Sequence, residues 1–190
     1  MEKIIFHKET KTFHLYNEEI SYIMCVLENG HMGQLYYGKR IHDKPDFSYL
    51  VEKCGRPMTS YIFEGDRSFS LEHIRQEYPV YGTTDYRHPA IEIMQENGSN
   101  ISEFKYVGYE ILKGKPSLKG LPATYTESEE EAETLKIILK DSLTGAKLTL
   151  LYTIFSKGSA IARSAHICNE GEKVLHLQTM MSLNLDLPDK

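Results

Sequence analysis

The chain has 190 residues, enough for one large domain, and its 41% apolar content can build a real core. A formal charge of −5, with Lys and Arg scattered along the chain, excludes a nucleic-acid backbone as partner, because neutralising phosphates takes clustered cations. Three widely spaced cysteines (Cys25, Cys54 and Cys168), with no CxxC pair, exclude a disulfide framework and a zinc signature.

The opening residues, MEKIIFHKETKTFHLY, hold no apolar stretch of signal-peptide length. The longest apolar-rich run, ISYIMCVL, is far too short to span a bilayer, so the expectation is a cytoplasmic protein with no membrane partner. TFHLYN, ISYIMCVLE and MGQLYYG then read as short strands parted by the turn signals NEE and ENGH. After residues 41–90, IEIMQENGSNISEFKYVGYEIL reads as a hairpin closing through Asn97-Gly98. Two overlapping glycosylation sequons, at Asn97 and Asn100, read as turn chemistry in a chain without a secretion signal. The acidic run TESEEEAET is a solvated loop or strand edge.

TLKIILKD puts Leu135, Ile137 and Leu139 on one face and Lys136 and Lys140 on the other. KLTLLYTIF alternates Leu148, Leu150, Tyr152 and Ile154 against Thr149 and Thr153, and AIARSAHICN sets Ile161, Ala165 and Ile167 on one face with Arg163. VLHLQTMMSLNLDLP continues the alternation from Leu175 to Leu187 as the next hairpin-linked strand. The helix-friendly stretches, SLEHIRQE and the acidic run, lack an apolar stripe. So many strands need two packed antiparallel sheets; the fold class is all-β, a large two-sheet β-sandwich with little helix.

Residues 41–90 are the exception, with weak alternation and four of the seven prolines. A segment of this length without regular strands is either a functional loop or a long cover closing one end of the sandwich. It carries Tyr49, Tyr61, Tyr78, Tyr81 and Tyr86, which suit either corner packing or a sugar's apolar face. In GDRSFS, Asp66 and Arg67 either form a surface ion pair or present a fixed guanidinium fork suited to vicinal hydroxyls. QEYPVYGTTDYRHPAIEI reads as a structural corner, with Pro79 and Pro89 fixing φ, Gly82 permitting a tight turn and Asp85 tying to Arg87.

Specific catalytic motifs are lacking: there is no GxSxG elbow, P-loop or HExxH. The eight histidines form no pair at metal-ligand spacing with a third ligand, although His166 and His176 are expected on adjacent strands. The 27 carboxylates are too many to single out a glycosidase pair, and Cys54 has no neighbouring base to make it a nucleophile.

YYGKRI, DRSFSL, QEYPVYGTTDYRHPAIEI, ENGS, KGKPSLKGLPATY and MMSLNLDLPD occur in this order and cover essentially the whole chain. The set resembles the N-terminal region of the bacterial α-galactosidases of glycoside hydrolase family 36, the melibiose- and raffinose-degrading enzymes. The resemblance implies that residues 1–190 are one N-terminal β-supersandwich domain of a retaining enzyme whose catalytic aspartates sit on a following (β/α)8 barrel. The chain shows no βα repeats, so it is expected to hold no catalytic residue and to be inactive alone. No cofactor and no metal are implied. The implied partners are α-galactoside oligosaccharides, met through the full-length enzyme, and further subunits of a tetramer in which this domain borders a neighbour's active site. Arg67 is carried over as a substrate-side contact, and Asp46 is the candidate acidic one, in a loop, KPDFSYLVEKCGRPM, that departs from the commoner pattern. The alternatives are a stand-alone carbohydrate-binding module and a purely structural sandwich in which Arg67 pairs with Asp66.

Overall fold

The computed structural model describes residues 3–120 and 123–187; Leu121 and Pro122 of the KGLPATY motif and the closing Pro188–Lys190 lie outside the described residues. Strands β1 (Ile4–His7), β2 (Thr12–Tyr16), β3 (Ile20–Val26) and β4 (Met32–Lys39) form one antiparallel sheet in chain order. β1 gives no alternation signal in its four residues; it is held by its register with β2, which sets Phe6 opposite Phe13, their rings stacked at 4.5 Å.

A second four-stranded sheet contains β6 (Phe104–Lys113), β7 (Ala132–Asp141), β8 (Ala146–Phe155) and β9 (Ile161–Asn169), again in chain order and antiparallel. Leu135, Ile137 and Leu139 of β7 and Leu148, Leu150, Tyr152 and Ile154 of β8 are buried, as their alternation predicts. The β7–β8 turn needs its glycine: Gly145 has φ +76°, and a Cβ there would lie 2.8 Å from Gly171 Cα.

Two expected hairpins are not formed. β5 (Ile91–Gln95) does not pair with β6, and β10 (Leu175–Met180) does not pair with β9; β5 and β10 pair with each other in a small separate sheet. The Asn97-Gly98 turn exists, with Gly98 N–H donating to Gln95 O at 2.9 Å, but the chain then crosses to the second sheet. There the ten-residue β6 matches the ten-residue β7 and buries Phe104, satisfying more backbone groups than a short β5 could. His166 and His176 therefore fall in different sheets. A bulge between Leu177 and Thr179 breaks the expected alternation of β10, and Leu177, Met181, Leu183 and Leu187 are exposed rather than lined up on a core face. Asn97 and Asn100 make local turn contacts, to the Ser99 N–H and the Glu92 carboxylate.

The two larger sheets face each other across the main core, where Phe13, Leu15, Tyr22 and Met24 meet the inward residues of β7 and β8, with Ile91 and Ile93 of β5 added. β3 is buried on both faces. Its other side, Ile23 and Cys25, packs with Leu27 and Leu35 against Phe47, Phe69, Leu71 and Ile74, which all come from the stretch between β4 and β5. That stretch contains one 3-10 turn, Ser48–Leu50, and isolated bridges; its part up to Ile74 lies as a second layer on the back of the first sheet, while Tyr78, Val80 and Ala90 join the main core.

Candidate functional site

Asp46 and Arg67 both stand on this second layer, each beside a wholly buried phenylalanine. Phe47 follows Asp46 and Phe69 lies just beyond Arg67, both at 0% exposure in the same apolar cluster. Burying each ring supplies about 1.5–3 kcal/mol, enough to fix a loop that has no ladder of its own. Asp46 and Arg67 themselves are exposed.

Asp46 Oδ1 accepts the Ser48 N–H at 2.7 Å and opens the 3-10 turn, and the Ser48 hydrogen bonds hold its carboxyl below the usual range. It is a charged, exposed acceptor. Asp66 does not pair with Arg67: its Oδ1 takes the Ser68 hydroxyl at 2.6 Å and the Ser68 N–H at 2.8 Å. Those bonds keep Asp66 ionised and in place. Among the described residues Arg67 has no hydrogen-bonded or ionic partner, so its donors remain available. Asp46 and Arg67 thus share an anchoring layer, and no hydrogen bond or ion pair joins the two side chains.

The QEYPVYGTTDYRHP corner is built from buried charge. Glu77 is wholly buried, 2.7 Å from Arg163 Nη2, and accepts the Tyr22 hydroxyl at 2.7 Å and the Tyr152 hydroxyl at 3.0 Å. Complete burial pushes its carboxyl up, against the guanidinium and the two phenols that hold it charged. The Arg163 guanidinium also lies 4.7 Å over the Tyr152 ring. Asp85, 2% exposed, accepts Arg87 Nε at 2.9 Å and Gln76 Nε2 at 2.6 Å, and Arg87 reaches on to Leu71 O at 3.1 Å. The turn between Gly82 and Asp85 closes in both directions at 2.8 and 3.0 Å, with Thr83 and Thr84 at φ 52° and 73°. β-Branched residues seldom adopt that conformation, and the Asp85 network overrides their preference. The same corner holds residues 181–186: Tyr78 donates to Met181 O at 2.5 Å, Asn184 to Gln76 O at 3.2 Å, and Arg163 to Asn184 O at 3.2 Å.

Sequence reasoning found the Asp85–Arg87 tie and missed Glu77–Arg163. The available signal was a charged residue, Arg163, on the apolar face of β9, which demands a buried counter-charge. Tyr81 and Tyr86, the exposed aromatics of the corner, meet edge to face at 75° and 5.4 Å and do not form the coplanar platform a sugar ring stacks on. A groove of about 950 Å³ lined by Tyr16, Arg40, Lys113 and Glu133, and a cavity of about 230 Å³ beside Lys115, Leu151 and Ser164, include neither Asp46 nor Arg67. All three cysteines are free thiols; burial pushes Cys25 up to about 12, and Cys54 is exposed. Among the described residues no group of three His, Cys, Asp or Glu side chains is placed to hold a metal ion, and no helix is long and apolar enough to cross a membrane.

Two packed antiparallel sheets, a long irregular layer on one of them, and two exposed polar residues mounted on that layer define an all-β sandwich domain. Residues 30–190 match the family model for the glycosyl hydrolase family 36 N-terminal domain, and the chain belongs to that family. It is 40% identical over 97% of its length to alpha-galactosidase AgaA of Geobacillus stearothermophilus, and 34% identical over 98% to alpha-galactosidase Mel36A of Lactobacillus acidophilus. It covers 25% and 26% of those proteins, about a quarter of the curated relatives it matches. Among solved structures it superposes on the alpha-galactosidase from Lactobacillus brevis with a TM-score of 0.93 at 38% identity, over 98% of this chain and 25% of that one. It superposes on an AgaA variant in complex with raffinose with a TM-score of 0.86 at 42% identity, over 91% of this chain and 24% of that one.

Proposed function

We propose that this chain is the non-catalytic N-terminal domain of a retaining α-galactosidase that removes terminal α-galactosyl residues from melibiose- and raffinose-type sugars in the cytoplasm. The observation that carries the reading is the match of nearly the whole chain, at 40% identity, to one quarter of an alpha-galactosidase. In this reading the hydrolytic carboxylates belong to the other three quarters. The domain supports a homotetramer and brings its second layer to the mouth of a neighbouring subunit's active site. There the Arg67 fork donates to sugar hydroxyls and Asp46 accepts from them, the division of labour their chemistry allows. No cofactor takes part. The relatives' complexes with raffinose and with stachyose support the choice of substrate class.

The test is hydrolysis of a chromogenic α-galactoside by this chain, compared with a form extended by the remaining three quarters of a relative. Turnover only in the extended form is the expected result. Turnover by the 190-residue chain itself would place the two carboxylates within it and overturn the reading.

A further inference from the structure

The loop that carries Asp46 is seated on the first sheet by one continuous hydrogen-bond chain. Asp43 Oδ1 lies 2.9 Å from His7 Nε2 and 2.7 Å from His14 Nδ1. The other ring nitrogen of His14, Nε2, is 2.9 Å from Ser21 Oγ, and both residues are at 0% exposure. Ser21 Oγ also accepts the Ile41 N–H at 3.1 Å, which directs its own proton at His14. The proton order follows: Ile41 N–H to Ser21 Oγ, Ser21 O–H to His14 Nε2, and His14 Nδ1–H to Asp43. Thr10 Oγ1 donates to Pro45 O at 3.2 Å, and the Phe47 ring meets the His14 ring edge-on at 5.5 Å. Serine, histidine and aspartate here share the connectivity of a hydrolytic triad, but the hydroxyl is buried where no substrate reaches it.

We propose that His14 is a positioning residue: neutral and protonated on Nδ1, it seats residues 41–47 and so places Asp46 for its substrate contact, and acid releases the loop. This rests on the reading of Asp46 given above. A second proton, on Nε2, makes both His14 and Ile41 donors toward Ser21 Oγ and leaves the buried hydroxyl proton without an acceptor. The charged and titratable groups facing His14 are Asp43 from the loop, His7 from β1, Arg40 from the end of β4 and Tyr16, whose ring is 4.9 Å away on β2. Burial is the largest influence and lowers the pKa of His14; Asp43 opposes this by hydrogen bond and charge, while His7 and Arg40 add to the lowering. A lowered histidine gives its full support above the ordinary value of ~6.5 and loses it as the pH falls below that.

The experiment is a ¹⁵N NMR titration of the histidine rings and backbone amides of the 190-residue chain between about pH 5 and pH 8. Expected are an Nδ1–H tautomer for His14 at neutral pH, a midpoint below the ordinary histidine value, and Ile41 and Ser48 amide shifts that follow the same midpoint. An Nε2–H tautomer, or amides that stay still while His14 titrates, would overturn the proposal. In the extended enzyme, Asp43→Asn is expected to raise KM about fivefold with kcat unchanged, the loss of one well-placed contact. Unchanged KM in that variant, with Asp46→Ala raising KM, would also overturn it. If Asp46→Ala leaves KM unchanged while the NMR coupling is present, the substrate-contact reading fails and the seating of the loop by His14 stands.

Discussion

The corner around Glu77 and the layer carrying Asp46 and Arg67 use charge in opposite ways. In the corner, Glu77 and Arg163 are taken out of water, and both Glu77 carboxylate oxygens have a partner among Tyr22, Tyr152 and the Arg163 guanidinium. On the second layer the apolar rings of Phe47 and Phe69 are buried and the adjacent charged groups are left in solvent. A buried ion pair fixes geometry at a desolvation cost and offers nothing to a ligand; an exposed arginine on a rigid anchor contributes little to folding and keeps its donors available. The same domain therefore separates residues that hold the fold from charged residues left free in solvent, to which the proposed function assigns the substrate. Changes in the first group should be read by stability, and changes in the second by affinity.

The largest effect is expected at Glu77. Glu77→Ala leaves the Arg163 guanidinium buried and unpaired and should cost about 3–5 kcal/mol in urea unfolding, a large share of a domain's stability. The double change Glu77→Leu with Arg163→Met should restore much of that loss, since a packed apolar pair replaces the ions; equal loss in the double variant would show that packing, not charge, governs the corner. Phe69→Ala should cost about 3–5 kcal/mol through the cavity it opens under the second layer, also read by urea unfolding. Asp85→Asn should cost about 1–3 kcal/mol, because Arg87 and Gln76 both donate to the lost carboxylate, and the melting temperature checks it. Arg67→Ala, at the far end of the series, should move stability by no more than about 0.5 kcal/mol.

The regular half of this fold is legible in the sequence because β7 and β8 send an apolar side chain to the core at every second position from Leu135 to Leu139 and from Leu148 to Ile154, with Lys136 and Lys140 on the opposite face. β3 is harder to read, since Tyr22 and Met24 face one core while Ile23 and Cys25 face another, and burial on both sides erases the alternation. Pairing is less legible than strand identity. The Asn97-Gly98 turn is the usual hairpin signal, yet the strand after it pairs with β7 while β5 pairs with β10, a choice of partner that no local pattern encodes. For the site, Asp46 and Arg67 can be picked out as polar loop residues, but Phe47 and Phe69 as their anchors, and His14 as a partner of the loop, are tertiary facts. The chain brings His14 and Asp43 to 2.7 Å across 29 positions of sequence, a distance no local pattern encodes.

The most direct measurement is the KM for raffinose and the melting temperature of Arg67→Ala in the extended enzyme. A KM raised about tenfold or more, with kcat and melting temperature unchanged, is predicted, as expected for removing a charged hydrogen-bond donor from the substrate alone. An unchanged KM, or a melting temperature that falls as it does for Asp85→Asn, would contradict the assignment of Arg67 to recognition rather than to the fold.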